Sequence, residues 1–149
     1  MNDNIKFNFW LKLNVQLITP KEIQVWANEK ILEDNDDQFI LDICFLKNDE
    51  EIRNYLNRLR RVDFIIDETT VAINILKEYI SKENSANLYE YIANIDLIAL
   101  YIRDQDLTDL LCIYEDQIDL ASLGYLRISV EQVFNEFLHH LNKWLEQHI

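Results

Sequence analysis

The residues best suited to metal chemistry lie together near the end of the chain. Glu136 precedes His139 and His140 by three and four positions, so a helix would bring the carboxylate and an imidazole to one face. A zinc or di-iron site in a helical protein also takes ligands from other helices, and the chain has no second Glu-x-x-His sequence. We therefore expect these histidines and His148 to be surface or half-buried residues, and we predict no metal ion and no cofactor.

Other chemistry-bearing residues give equally little support for an enzyme. Asp34, Asp36 and Asp37 resemble a fragment of a calcium-binding loop, but the glycine of its sharp turn and the closing glutamate are missing. No serine, threonine or cysteine has a histidine at a recognisable motif spacing. Cys44 and Cys112 lie inside apolar runs, which predicts two reduced core residues, with a disulfide as the minor alternative. We predict that the protein is not an enzyme; a metal-dependent hydrolase is the weakest alternative.

The charge of the chain restricts the class of partner. It has 27 acidic residues against 14 lysines and arginines, a formal net charge of −13. Residues 76–149 hold 13 acids against 5 bases, a net of −8. Such a negative field opposes binding to nucleic acid and anionic lipid, and it can steer a basic partner into contact. The one basic cluster is explained by the negative end of a helix dipole and by internal ion pairs. It consists of Arg53, Arg58, Arg60 and Arg61.

One acidic series is a candidate binding surface. Asp109 and Asp116, with Asp119 or Asp106, can share one helix face because separations of three, four and seven residues return to the same side. A solvated outer face is the simpler interpretation; a surface for lysines and arginines of a protein partner is the functional one. Tyrosine is a residue type that anchors such contacts. Three tyrosines lie in or near the series: Tyr101, Tyr114 and Tyr125. The candidate partner-binding residues are Asp104, Asp106, Asp109, Tyr114, Glu115, Asp116 and Asp119.

The composition and the apolar spacing favour helices throughout. One glycine, Gly124, and one proline, Pro20, leave few means of making tight turns. Thr19 with Glu22 and Ser129 with Gln132 can form capping boxes, Asn48 can cap a helix, and apolar residues recur at helical spacing after each cap. Gly124 is placed to end the preceding helix in a left-handed conformation. Residues 7–17 alternate in period two, so a strand is the alternative to a helix there. We predict helices over about residues 5–16, 19–31, 39–46, 48–61, from Asp63 or Asp67 to 80, 88–102, 107–123 and from 129 to the end of the chain.

The fold class follows from these elements. Loops of two to seven residues would pack consecutive helices as antiparallel neighbours. We predict an all-α protein, a single domain over residues 1–149, built as a multi-helix bundle or as stacked helical hairpins with about seven to eight helices. The lack of a long apolar run and of a signal-like start predicts a soluble, cytoplasmic protein without a membrane segment.

A resemblance lies in the first third of the chain. The segment Leu17–Ile23, followed by Trp26-Ala27 and Ile31 and then by Phe39–Ile43, resembles small helical immunity proteins found beside bacterial polymorphic and contact-dependent toxins. The resemblance implies an inhibitor of a cognate toxin, commonly a nuclease, that acts by covering the toxin's basic surface. It transfers no functional residue, but the acidic charge fits the role. The alternative is a helical scaffold or regulatory protein that binds a peptide, or a copy of itself, through an apolar groove.

Overall fold

The computed structural model describes residues 3–59, 67–82 and 87–148. Within these ranges the protein is all-α, with eight helices and no strand, and 79% of the residues are helical. The helices are α1 (Asp3–Asn14), α2 (Pro20–Lys30), α3 (Gln38–Phe45), α4 (Asp49–Arg58), α5 (Glu68–Ser81), α6 (Leu88–Ile102), α7 (Gln105–Ser122) and α8 (Val130–Gln147). The predicted fold class is therefore confirmed. Among these residues no helix has the length and apolar character that crossing a membrane requires.

The chain divides into two compact units, Met1–Ile75 and Leu76–Ile149, and the division falls within α5. Each unit is described by itself, and the single domain expected over residues 1–149 stays a prediction. The predicted helix start at Asp63, and Arg60 and Arg61 of the basic cluster, lie outside the described residues. Asp67, the other predicted start, caps α5, because its Oδ1 accepts a hydrogen bond from the Thr70 N–H at 3.1 Å.

In the first unit, α1 explains the period-two pattern of the sequence. Phe7 and Leu11 are buried on one face of this helix, while Phe9 and Leu13 are buried on the opposite face. Alternate positions are therefore buried although the backbone is helical. The helix prediction is confirmed, and the strand alternative is wrong. The Phe9 ring meets the Trp26 ring edge-on with the ring centroids 4.7 Å apart.

Helices α2, α3 and α4 surround one side of α1. Thr19 and Glu22 form the predicted capping box at the start of α2, and Asn48 caps α4 by accepting from the Glu51 N–H at 2.9 Å. Residues 39–46 are apolar apart from Asp42, a pattern that predicts a helix at the centre of the core, but α3 is not buried on all sides. Only its Phe39–Ile40–Ile43 side is buried, and Phe45 at its end is 77% exposed. The shared core cluster consists of Phe9, Leu13, Ile23, Ala27, Phe39, Ile40, Ile43, Ile52 and Leu56.

The second unit is built on α6, α7 and α8. Arg103, in the left-handed region with φ of 58°, ends α6, and α7 begins two residues later, so the two helices form a tight antiparallel hairpin. Gly124, with φ of 81°, ends α7 as predicted. Its N–H donates to the Ala121 carbonyl and the Tyr125 N–H to the Leu120 carbonyl, which is a Schellman motif. The predicted Ser129–Gln132 capping box starts α8.

Candidate protein-binding surface on helices α6 and α7

Helices α6 and α7 carry the strongest charge of the second unit. Together they contain seven acidic residues and no lysine or arginine. The buried stripe of α7 faces the interior of the unit, as the 5.5 Å separation of the Tyr114 ring from the Phe137 ring of α8 shows. Asp109 and Asp116 lie on the opposite, outer face. Asp119 and Glu115 lie on the flank nearest α6, and Asp106 lies on the other flank.

The stability of α7 explains the position of only some of these acids. A helix N-terminus is stabilised by negative charge and a C-terminus is destabilised by it. Asp104 and Asp106 at the start of α7 are in favourable places, but Asp119 lies in the last turn, where α7 has no basic residue. None of the outer carboxylates of Asp109, Asp116 and Asp119 forms a salt bridge with a described lysine or arginine. Helix stability therefore leaves the acid at the C-terminal end unexplained.

Large apolar side chains are exposed beside these acids. Ile113 and Leu120 lie on the outer half of α7, next to Asp116. Leu123 and Tyr125 follow at the end of the helix, where they are 69% and 76% exposed. Apolar and aromatic side chains next to complementary charge are the usual composition of a protein interface. Sequence spacing alone did not identify Ile113, Leu120 or Leu123 as surface residues, because apolar residues are normally assigned to the core.

A pair of carboxyl groups joins the two helices. The carboxyl of Glu115 on α7 hydrogen-bonds the carboxyl of Asp96 on α6, and this bond raises the pKa of Glu115 to about 7. Partial burial and the charges of Asp96, Asp116 and Asp119 raise it further in the same direction. Glu115 therefore keeps its proton at pH values below about 7, since two adjacent carboxylates resist simultaneous ionisation.

Asp96 also separates two cavities in the groove between α6 and α7. One cavity, of about 460 Å³, lies towards Leu100 and Cys112. The other, of about 210 Å³, lies towards Tyr89 and Asp119. Leu100 and Tyr89 are exposed at the two ends, and the walls between them are mainly apolar. The groove thus has an acidic centre with an apolar recess on each side.

Asp104 has a structural role at the start of α7. Its Oδ1 accepts hydrogen bonds from the Leu107 N–H at 2.9 Å and from the indole Nε1–H of Trp144 at 3.0 Å. Its Oδ2 lies 3.5 Å from Nε2 of His148, whose ring stacks on the Trp144 ring with centroids 4.1 Å apart. The hydrogen bond from Leu107, with the hydrogen bond from Trp144 and the nearby His148 ring, lowers the pKa of Asp104. Because its carboxylate contacts Trp144 and His148, Asp104 links the end of α8 to the start of α7.

The tyrosines of α6 and α7 and their surroundings differ in exposure, and only the exposed ones can contact a partner. Tyr114 is buried between the rings of Phe137 and His140, and this burial raises the pKa of its hydroxyl. Tyr101 is also buried. Tyr125 is exposed, and so is Tyr89, which the sequence did not single out. We therefore leave Tyr114 and Asp104 out of the proposed surface and add Tyr89, Asp96 and the exposed apolar residues to it.

The histidines and cysteines lie at or near the surface. His139 and His140 are exposed, and no group of three or more potential metal ligands occurs among the described residues. Both cysteines are free thiols, as expected for a reduced protein, but the expectation that both lie in the core is wrong. Cys112 is exposed on α7 because it follows Leu111 by one position and so points away from the buried stripe. Cys44 is half-buried, and burial raises the pKa of its thiol.

A further cavity, of about 580 Å³, lies where α5 ends and where α6 and α8 begin, with Tyr91 and Phe134 in its wall. Comparison of the chain with protein-family models, with curated proteins and with solved structures finds no match. The assignment of function therefore depends on the chemistry of the surface.

Proposed function

We propose that this protein binds a basic protein domain through the acidic surface of α6 and α7, and that the partner is the cognate toxin of a bacterial toxin–immunity pair. The observation that supports the proposal is the outer surface of α7. Its carboxylates form no salt bridges with described cations, one of them lies at the negative end of the helix dipole, and exposed apolar side chains adjoin them. Such a surface has the charge and the apolar contact area to cover a nuclease's basic substrate-binding face.

The association mechanism follows from the charge distribution. The second unit, with its net charge of −8, steers a basic partner into encounter, and the exposed residues Leu120, Leu123 and Tyr125 then lose their water on contact. Steering acts on the association rate and weakens with salt, whereas burial of apolar side chains acts mainly on the dissociation rate. The role requires no catalytic residue of this chain's own. Inhibition results from blocking the partner's active site.

The test uses the product of the adjacent gene, expressed with and without this chain in the same bacterial host. The proposal predicts that the adjacent product stops growth, that this chain restores growth, and that the two proteins form a one-to-one complex. The variant Asp109→Asn/Asp116→Asn should associate about tenfold more slowly at low salt. Its matched control, Asp34→Asn/Asp36→Asn, removes the same charge from an exposed loop of the first unit and should associate like the wild type. A harmless adjacent product, or growth arrest that this chain leaves unrelieved, would refute the proposed role.

The alternative function, a scaffold that binds a copy of itself, gives a different result. Exposed apolar residues at the end of α7 could also meet a second copy, but two surfaces of the same negative charge repel each other. Sedimentation equilibrium of the protein alone distinguishes the two. A monomer at low and high salt supports binding of a basic partner, and a stable dimer that Leu120→Ser/Leu123→Ser disrupts supports the scaffold.

A further inference from the structure

Two parallel rows of side chains form the groove between α6 and α7. On α6, Tyr89, Asp96 and Leu100 lie on one face at spacings of seven and four residues. On α7, Glu115 faces Asp96, and Asp119 and Cys112 lie at its two sides. Because an α-helix rises about 1.5 Å per residue, Leu100 and Tyr89, at the far ends of the two recesses, lie roughly 6 Å and 10 Å along the axis from Asp96.

We propose that this groove is the binding site for an arginine side chain of the protein partner, with the guanidinium bridging Asp96 and Glu115 and apolar residues of the same partner segment in the two recesses. This inference rests on the proposed function, because it identifies which partner chemistry the acidic surface selects. It goes further in naming one side chain and the two carboxyl groups that receive it.

The chemistry of the pair favours arginine over lysine. Two carboxyl groups in hydrogen-bond contact present adjacent acceptor oxygens, and the planar guanidinium has five N–H donors arranged to meet two acceptors at once. A lysine ammonium is a compact charge that is more strongly hydrated and lacks this fork. No described lysine or arginine forms a salt bridge with Asp96 or Glu115, so this chain's described residues do not supply the cation.

Binding of arginine displaces a proton. Below about pH 7 Glu115 holds a proton in the unbound protein, and the guanidinium replaces it, so this proton passes to water when the complex forms. The charged or titratable groups around the pair are Tyr89 on α6 and Cys112, Asp116 and Asp119 on α7. The two aspartates favour the incoming positive charge. Affinity is therefore expected to fall as the pH drops below about 7, because protons compete with arginine for the same oxygens.

The recesses explain why a free cation is a poor substitute for the partner segment. The recess towards Leu100 is mainly apolar, and the recess towards Tyr89 combines apolar residues such as Ile92 and Ile118 with carboxylates. A segment with leucines on both sides of the arginine therefore removes more apolar surface from water than arginine alone. On a helical segment we place the leucines four and seven residues from the arginine, on opposite sides, which are the spacings of Leu100 and Tyr89 from Asp96. This pattern is the specificity rule that the groove predicts.

The probe is a synthetic helical peptide with leucine, arginine and leucine at those spacings in an alanine and glutamine background. Alkylation of Cys112 by iodoacetamide reports occupancy, because this exposed thiol lines the recess beside Leu100. The measurements use Cys44→Ser protein, so that Cys112 is the only thiol. The arginine peptide should slow alkylation in a saturable manner. The same peptide with citrulline, which has the shape of arginine without its charge, should bind at least tenfold more weakly, and the lysine peptide should fall between them.

The protein variants separate this inference from the proposed function. Asp96→Asn and Glu115→Gln should each weaken the arginine peptide about tenfold, whereas Asp109→Asn, which removes a carboxylate from the outer face, should leave its affinity unchanged. Equal binding of the arginine and citrulline peptides, or no protection of Cys112 at any concentration, would overturn the inference. If Asp96→Asn and Glu115→Gln bind the adjacent gene's product normally while Asp109→Asn/Asp116→Asn does not, the groove assignment fails and the proposed function stands. If all of these variants behave like the wild type, both fail.

Discussion

Replacing Glu115 by glutamine should make the protein more stable at alkaline pH. In the folded protein the pKa of Glu115 is about 7, well above the ordinary value of 4.5, because it shares a proton with Asp96. Between pH 4.5 and 7 the folded protein therefore holds a proton that the unfolded chain has released, and its stability falls as the pH rises through this range. The amide of glutamine can donate to the Asp96 carboxylate at any pH, so the stability of the Glu115→Gln variant does not decrease over this range.

The size of the effect follows from the same difference. The full distance between pKa 4.5 and about 7 corresponds to roughly 3 kcal/mol of differential interaction. The groove is open to water, which screens the pair and reduces the expected effect to about 1–2 kcal/mol. At pH 8 the variant should accordingly be more stable than the wild type by about 1–2 kcal/mol, and at pH 4.5 the two should have nearly equal stability.

The assay is urea unfolding of both proteins from pH 4.5 to pH 8, followed by far-ultraviolet circular dichroism. The difference in free energy of unfolding between the two proteins isolates Glu115, since every other titrating group is common to both. Asp109→Asn is the control: its carboxylate is exposed and accepts from the Gln105 side-chain amide at 2.8 Å, a bond that asparagine can retain. A constant difference between wild type and Glu115→Gln across the whole range would refute the shared proton.

Three further predictions follow from particular contacts. Asp104→Ala should lower the free energy of unfolding by about 2–3 kcal/mol, because the helix cap and the acceptor of the Trp144 indole are lost together. Asp104→Asn should lower it less, and chemical denaturation measures both effects. Asp119→Asn should raise stability by about 0.3–1 kcal/mol by removing a negative charge from the C-terminal turn of α7, while it slows association with the partner; a loss of stability would contradict the dipole argument. In native protein, iodoacetamide should modify Cys112 faster than Cys44, because Cys112 is exposed and burial raises the pKa of the Cys44 thiol; peptide mass mapping over time shows the order, and equal rates would contradict the assigned exposures.

The helices were predictable because local signals determine them. Thr19, Asn48 and Ser129 cap helices where their side chains and the residues three positions later indicated, and Gly124 ends α7 in the conformation that glycine favours. The buried face of α7 could also be predicted from the sequence, because Leu107, Leu111, Tyr114 and Ile118 lie at spacings of four, three and four. This spacing puts Tyr114 on the buried face and Cys112 on the exposed face of the helix. Residue type, rather than position in the helix, led to the opposite expectation for both.

The groove could not be predicted in the same way. Asp96 and Glu115 lie nineteen positions apart on different helices, and their contact depends on the register of α6 against α7, which the reversal at Arg103 determines. No local pattern in a single sequence encodes that register. The exposure of Leu100 and Leu123 likewise depends on which neighbouring elements are present to cover them. Tertiary packing, and not propensity, therefore determines which residues form the candidate site.

Hydrogen exchange of the complex with the adjacent gene's product, compared with each protein alone, tests the central claim most directly. If the acidic side of α6 and α7 is the binding surface, amide protection should increase across residues 89–125 and remain unchanged in the first unit, residues 3–59. Protection confined to the first unit, or the same exchange pattern with and without the partner, would contradict the account.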